Sequence, residues 1–72
     1  MTEQQLLRRV AKKIQTIRYE KGMSQIQLAV AIDYEKSNMS RLESGEVNPK
    51  IGTLYKVAKA LGVPLATLVN VE

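Results

Sequence analysis

The chain has 72 residues, 11 Lys or Arg against 7 Asp or Glu for a net charge of +4, and neither cysteine nor histidine. That length sets a ceiling of one domain, which buries only about 60% of the surface its unfolded chain exposes. The missing residues exclude disulfide staples, zinc sites with Cys or His ligands, and Ser-His-Asp or Cys-His triads.

The positive charge is unevenly placed. Residues 1–22 hold six Lys or Arg against two Glu, residues 23–48 hold two against four acidic groups, and residues 49–72 hold three against one. Net charge alone would therefore point to the first segment as the surface that binds a polyanion such as nucleic acid. No apolar run approaches the ~20 residues of a membrane span, and the start of the chain lacks the apolar core of a signal peptide. The expectation is a soluble, cytoplasmic, bacterial-type domain with no membrane association, stabilised by helix packing or by self-association.

Leu6, Leu7, Val10, Ala11, Ile14 and Ile17 recur at helical spacing, with Arg8, Arg9, Lys12 and Lys13 opposite them. They predict a first helix over about 3–21, closed by Gly22 with Lys21 in its last turn. Arg18 falls inside the apolar arc, between Leu7 and Ala11, and a buried Arg requires a carboxylate partner. Ser24 followed by Gln27 forms a capping-box pattern, so a second helix spans about 24–31 with Ile26, Leu28, Ala29 and Ile32 following the box. Asp33-Tyr34 is the turn, because Asp tolerates unusual backbone angles.

A third helix covers about 35–44 and stops at Gly45, and Glu46-Val47-Asn48-Pro49 is loop. A fourth helix spans about 50–61, with Ile51, Leu54, Val57, Ala58 and Leu61 on one side and Gly62 at its end. Pro64 opens a short fifth helix, Leu65 to Val69. No strand pattern, internal repeat or low-complexity stretch is present. The whole chain, residues 1–72, reads as one all-α domain: a compact five-helix bundle.

The second and third helices are short and joined by a very tight turn, the spacing of a helix-turn-helix (about residues 24–44) in which the second helix is presented to the major groove. Met39 and Leu42 define the inward side of the third helix, and Lys36, Ser37, Ser40 and Arg41 spread over the opposite half. Such donors suit base edges and phosphates. The same spacing also describes an ordinary solvated face on a helical hairpin.

The stretch MSQIQLAVAIDYEKSNMSRLESGEVNPKIGTLYKVAKALGV resembles the Cro/C1-type (xenobiotic response element, XRE) helix-turn-helix family. The resemblance is carried by Ser24-Gln25, Leu28-Ala29, Met39, Leu42, Glu43-Ser44-Gly45, Asn48-Pro49, Thr53-Leu54 and Ala58 to Gly62, and covers about residues 7–69. It implies a bundle of the lambda-repressor-like DNA-binding type that binds operator DNA, usually as a homodimer on a pseudo-palindrome. It further implies that Gln25 touches a phosphate and braces the recognition helix, that Lys36, Ser37, Ser40 and Arg41 read bases, and that Glu43 pairs with Arg18. The last pairing answers the anomaly that the helical wheel raised independently. The turn departs from the family, which often carries Gly where Asp33 stands.

Arg41 is the leading base-reading candidate, since Arg to guanine O6/N7 is the commonest specific contact. Tyr34 and Asn38 lie where they reach the DNA backbone, although the Tyr34 ring suits core packing equally. Lys50, with Thr53 beside it, opens the fourth helix where free N–H groups favour a phosphate. Glu35 has two readings, a favourable charge at the helix N-terminus or an acceptor for cytosine N4, of which the first is preferred. The basic face of the first helix is a solvated face that adds long-range attraction to DNA.

Leu65 and Leu68 suit the core, yet Leu65, Leu68, Val69 and Val71 together exceed what a core of this size uses, and with Tyr55 they mark the expected dimer interface. The expectation is thus a stand-alone transcriptional regulator, a repressor on a palindromic operator, with double-stranded DNA and a second copy as partners and no metal, cofactor or enzymatic activity. Two alternatives use the same fold: an antitoxin-like module that also holds a toxin protein, and a controller protein of a restriction–modification system.

Overall fold

The computed structural model describes all 72 residues. Five α-helices follow in order, α1 (Glu3–Glu20), α2 (Gln25–Ala31), α3 (Lys36–Glu43), α4 (Ile51–Leu61) and α5 (Leu65–Val69), with no strand. No helix is long and apolar enough to cross a membrane.

The helix boundaries follow local chemistry. Thr2 and Gln5 close the start of α1 as a reciprocal capping box, Gln5 N–H donating to Thr2 Oγ1 at 3.1 Å and Thr2 N–H to Gln5 Oε1 at 2.9 Å. Ser24 and Gln27 repeat the device on α2 at 3.0 and 2.7 Å. Each satisfies first-turn N–H groups that otherwise have no intrahelical partner.

The carboxyl ends share a second device. After α1, α2, α3 and α4 the chain turns through one residue in the left-handed region, with a pair of reversed backbone hydrogen bonds around it. This is the Schellman arrangement. At the end of α2, Tyr34 N–H donates to Ala29 O at 2.8 Å and Asp33 N–H to Val30 O at 3.2 Å. Three of the four left-handed residues are glycines and the fourth is Asp33 at φ 54°. The tight turn between α2 and α3 is therefore a helix-ending motif built with Asp in place of Gly.

One core holds the five helices. α1 packs across α3, α4 and α5, while α2 packs on α3 and α4, and α4 on α5. Ile14, Leu28, Met39, Leu42, Val57 and Leu68 are fully enclosed at the centre. Each such side chain contributes about 1.5–3 kcal/mol on burial. Met23, Tyr34, Val47, Val63, Leu65 and Val71 close over this centre from the loops and from α5.

Two positions depart from the sequence expectation. Ile51 is 66% exposed although the wheel of α4 places it with Leu54 and Ala58. It is the first residue of its helix and overhangs the core rather than entering it. Leu68 is fully buried inside its own chain, as its core reading has it, and so departs only from the expected dimer interface: a side chain with no accessible surface has none to offer a second copy.

Candidate nucleic-acid interface

Helix α3 turns Met39, Leu42 and Glu43 inward and leaves Lys36, Ser37, Ser40 and Arg41 exposed to solvent. The four polar residues expected to face a ligand thus share one open surface. None of them takes part in an ion pair or an internal side-chain hydrogen bond, apart from the Arg41 carbonyl, which accepts from the Ser44 hydroxyl at 2.9 Å.

What fixes this surface lies beneath it. Arg18 of α1 donates from Nε to Glu43 Oε2 at 2.7 Å and from Nη2 to Glu43 Oε1 at 2.8 Å, a bidentate pair. Arg18 is 5% exposed and Glu43 is 7% exposed. The remaining guanidinium nitrogen, Nη1, donates to the Met23 carbonyl at 2.9 Å. Gln25 adds a third donor to the carboxylate, from Nε2 to Oε1 at 3.2 Å. No buried side-chain nitrogen or oxygen in the molecule lacks a partner. The Arg18 guanidinium is held above its ordinary pKa, chiefly by its hydrogen bond to Glu43, with burial acting in the opposite direction. Removing one partner from such a pair leaves an uncompensated buried charge, whereas the intact pair fixes α3 against α1 and α2.

The end of α3 is fixed sterically as well. Gly45 sits at φ 78°, and a Cβ there would lie 3.0 Å from Arg8 Cγ and 3.1 Å from Arg8 Cα. Only glycine meets both conditions, the left-handed angle and the close approach of the α1 backbone. The loop that follows is tied to α1 by Asn48 Nδ2 donating to Glu3 Oε1 at 3.2 Å.

The expected backbone-contacting residues divide into two groups. Lys50 is exposed at the N-cap position of α4 and Thr53 is half-buried in the first turn, and the start of α4 has no side-chain cap. Asn38 is half-buried on α3. The Tyr34 ring packs against the core. Gln25 is half-buried, with one amide hydrogen engaged by Glu43.

Glu35 carries its charge at a helix start, as the preferred reading has it, but without a capping hydrogen bond. It stands at the N-cap position of α3, exposed, and its carboxylate accepts no hydrogen bond from the first turn. The residue type carries the signal: Ser, Thr, Asp and Asn close an N-terminus because their oxygens reach the N2 and N3 amides, and Glu, one methylene longer than Asp, is outside that group. In the fifth helix, Val69 is 41% exposed while Leu65 and Val71 are half-buried against the core. Tyr55 on α4 is 53% exposed.

Comparison with known proteins agrees with this geometry. The chain is 35% identical over 63 residues to the immunity repressor protein of Bacillus phage phi105, covering 88% of this chain and 44% of that one. It is 37% identical over 60 residues to the cryptic phage CTXphi transcriptional repressor RstR of Vibrio cholerae, covering 83% and 54%. This chain thus spans about half the length of these curated relatives. Among solved structures it superimposes on the restriction-modification controller protein C.AhdI from Aeromonas hydrophila with a TM-score of 0.83 at 27% identity, over 86% of this chain and 94% of that one. The sequence profile of the helix-turn-helix family HTH_3 matches residues 14–68, from the middle of α1 through Leu68, and with the exposed polar face of α3 held on a bidentate Arg–Glu pair the chain belongs to that family.

Proposed function

We propose that this protein is a transcriptional regulator that binds double-stranded operator DNA in a sequence-specific manner, as a homodimer on a palindromic site, and acts as a repressor. The observation that carries the reading is the α3 face. Lys36, Ser37, Ser40 and Arg41 are exposed on a short helix whose opposite side is immobilised by Met39, Leu42 and the Arg18–Glu43 pair. Placed in the major groove, Arg41 would meet a guanine edge, Lys36 a base or a phosphate, and the two serines either base-edge donors or acceptors.

Gln25, Tyr34, Asn38, Lys50 and Thr53 are assigned to phosphates flanking the groove. The uncapped first turn of α4 leaves backbone N–H groups beside Lys50 that favour an anion. Dimerisation is assigned to the surface around α5, through Val69 with the outer edges of Leu65 and Val71 and with Tyr55 of α4. The Cα envelope measures 31 × 23 × 21 Å. A dimer of this kind reads two half-sites when its α3 helices stand about one DNA turn apart, roughly 34 Å.

The test is selection of bound sequences from a random duplex pool at near-physiological salt, with the wild type and Arg41→Ala side by side. The wild type is expected to enrich a two-fold motif, and the variant to lose preference at one symmetric position by an amount worth about 1–3 kcal/mol. Binding of every duplex alike, with steep salt dependence and no enriched motif, would remove the regulator reading. A molecular mass that stays monomeric at every concentration would remove the dimer.

One neighbour favours a narrower version. This chain covers 94% of C.AhdI in superposition, so a controller role in a restriction–modification system fits the fold. The position of the selected motif, ahead of this gene and of restriction genes or elsewhere, separates the two.

A further inference from the structure

We infer that Glu35 is a specificity-determining residue, which selects cytosine through its exposed carboxylate and rejects other bases at the same position. The inference rests on the DNA-binding reading above and extends it to a residue that the reading leaves out.

Glu35 occupies the N-cap position of α3 at φ −71°, ψ 145° and is exposed. At the equivalent positions of α1 and α2, Thr2 and Ser24 turn back to accept from their own helix. Glu35 does not, and it forms no ion pair with neighbouring Lys36, since the Arg18–Glu43 pair is the molecule's single salt bridge. A carboxylate stands unengaged at the leading end of the helix that enters the groove.

An ionised carboxylate only accepts hydrogen bonds. Beside a phosphate it is repelled, so a backbone contact is unfavourable. In the major groove the available donors are the N4 amine of cytosine and the N6 amine of adenine. Adenine N6 lies beside N7, an acceptor that repels the carboxylate, whereas the C5 edge of cytosine carries no acceptor. Guanine, with O6 and N7, and thymine, with O4, oppose a carboxylate with acceptors alone. Selectivity of this kind comes as much from rejecting wrong partners as from attracting the right one. The open N–H groups at the start of α3 offset part of the negative charge, which lets Glu35 approach DNA.

This gives a signature that a purely structural residue lacks: affinity and specificity move in opposite directions. In the same duplex selection, Glu35→Ala is expected to tighten binding to unrelated duplexes and to lose about tenfold in preference for cytosine at one symmetric position. Glu35→Gln keeps the shape and removes the charge, and it is expected to turn that preference toward adenine, whose N6 and N7 suit an amide. Thermal unfolding of both variants checks that the fold is intact.

The inference is overturned if the wild type enriches a motif and both variants enrich the same motif with every preference unchanged. It is equally overturned if the variants bind all duplexes more tightly by one common factor, which is generic repulsion without base choice. A wild type that enriches no motif removes the DNA-reading assignment itself, and Glu35 with it, so the two failures are distinguishable.

Discussion

The α1–α2 half of the molecule and the α3–α4 half treat their polar groups differently. In the first, Thr2 with Gln5 and Ser24 with Gln27 close both helix starts, and Arg18 directs its guanidinium to Glu43 and Met23. In the second, neither Glu35 nor Lys50 caps its helix, and Lys36, Ser37, Ser40 and Arg41 keep their side-chain groups open to solvent. The difference teaches where to look for a ligand. A scaffold satisfies its polar groups internally because an unmet buried group costs about 1–3 kcal/mol. An exposed face leaves them to water, free to exchange it for a partner.

Two arginines test the comparison most sharply. Arg18→Ala leaves Glu43 buried without its counter-ion and is expected to cost about 3–5 kcal/mol, enough to unfold much of a domain this small. Urea denaturation followed by circular dichroism measures it. The same change at Arg41, exposed and outside any ion pair, is expected to stay within about 0.5 kcal/mol in that measurement while base preference falls. Equal losses of stability at the two positions would break the comparison.

The helix starts give a smaller effect. Ser24→Ala removes the side-chain half of the α2 capping box and is expected to destabilise by about 1 kcal/mol. Truncation of Glu35, which closes nothing, is expected to change stability by a few tenths. Matched denaturation curves for the two variants give the contrast directly, and a larger loss at Glu35 would mean that its charge supports α3 after all.

The smallest effect lies in the turn between the halves. Asp33 holds φ 54°, an angle that costs an L-residue energy and glycine almost none. Asp33→Gly is expected to stabilise by up to about 1 kcal/mol, offset in part by the extra freedom glycine gives the unfolded chain. A rise of a few degrees in melting temperature, without change in the selected DNA motif, is the expected outcome.

The elements were legible in the sequence because their signals are local. Capping residues, apolar spacing and the residues that accept a left-handed angle all act within one or two turns, and they place the five helices to within a residue. Arg18 was legible as well, since a cation on an apolar arc demands a carboxylate wherever the fold supplies it. Glu35 was legible in part: its charge suits the helix start where it stands, but its length does not suit a side-chain cap.

Tertiary packing alone decided the rest. The spacing in the five-residue α5 marks Leu65 and Leu68 as core residues, but not how deeply each sits. The depth is set by α5 lying against α1 and α4, which encloses Leu68, leaves Leu65 half-buried and puts Val69 at the surface. Ile51 shares its wheel position with core residues and is exposed because the core ends before it. The approach of Arg8 to Gly45 and the bond from Asn48 to Glu3 join residues far apart in the chain. Periodicity reports the inward face of a long helix, but how far the core extends, and which chain segments meet across it, depends on where the other helices stand.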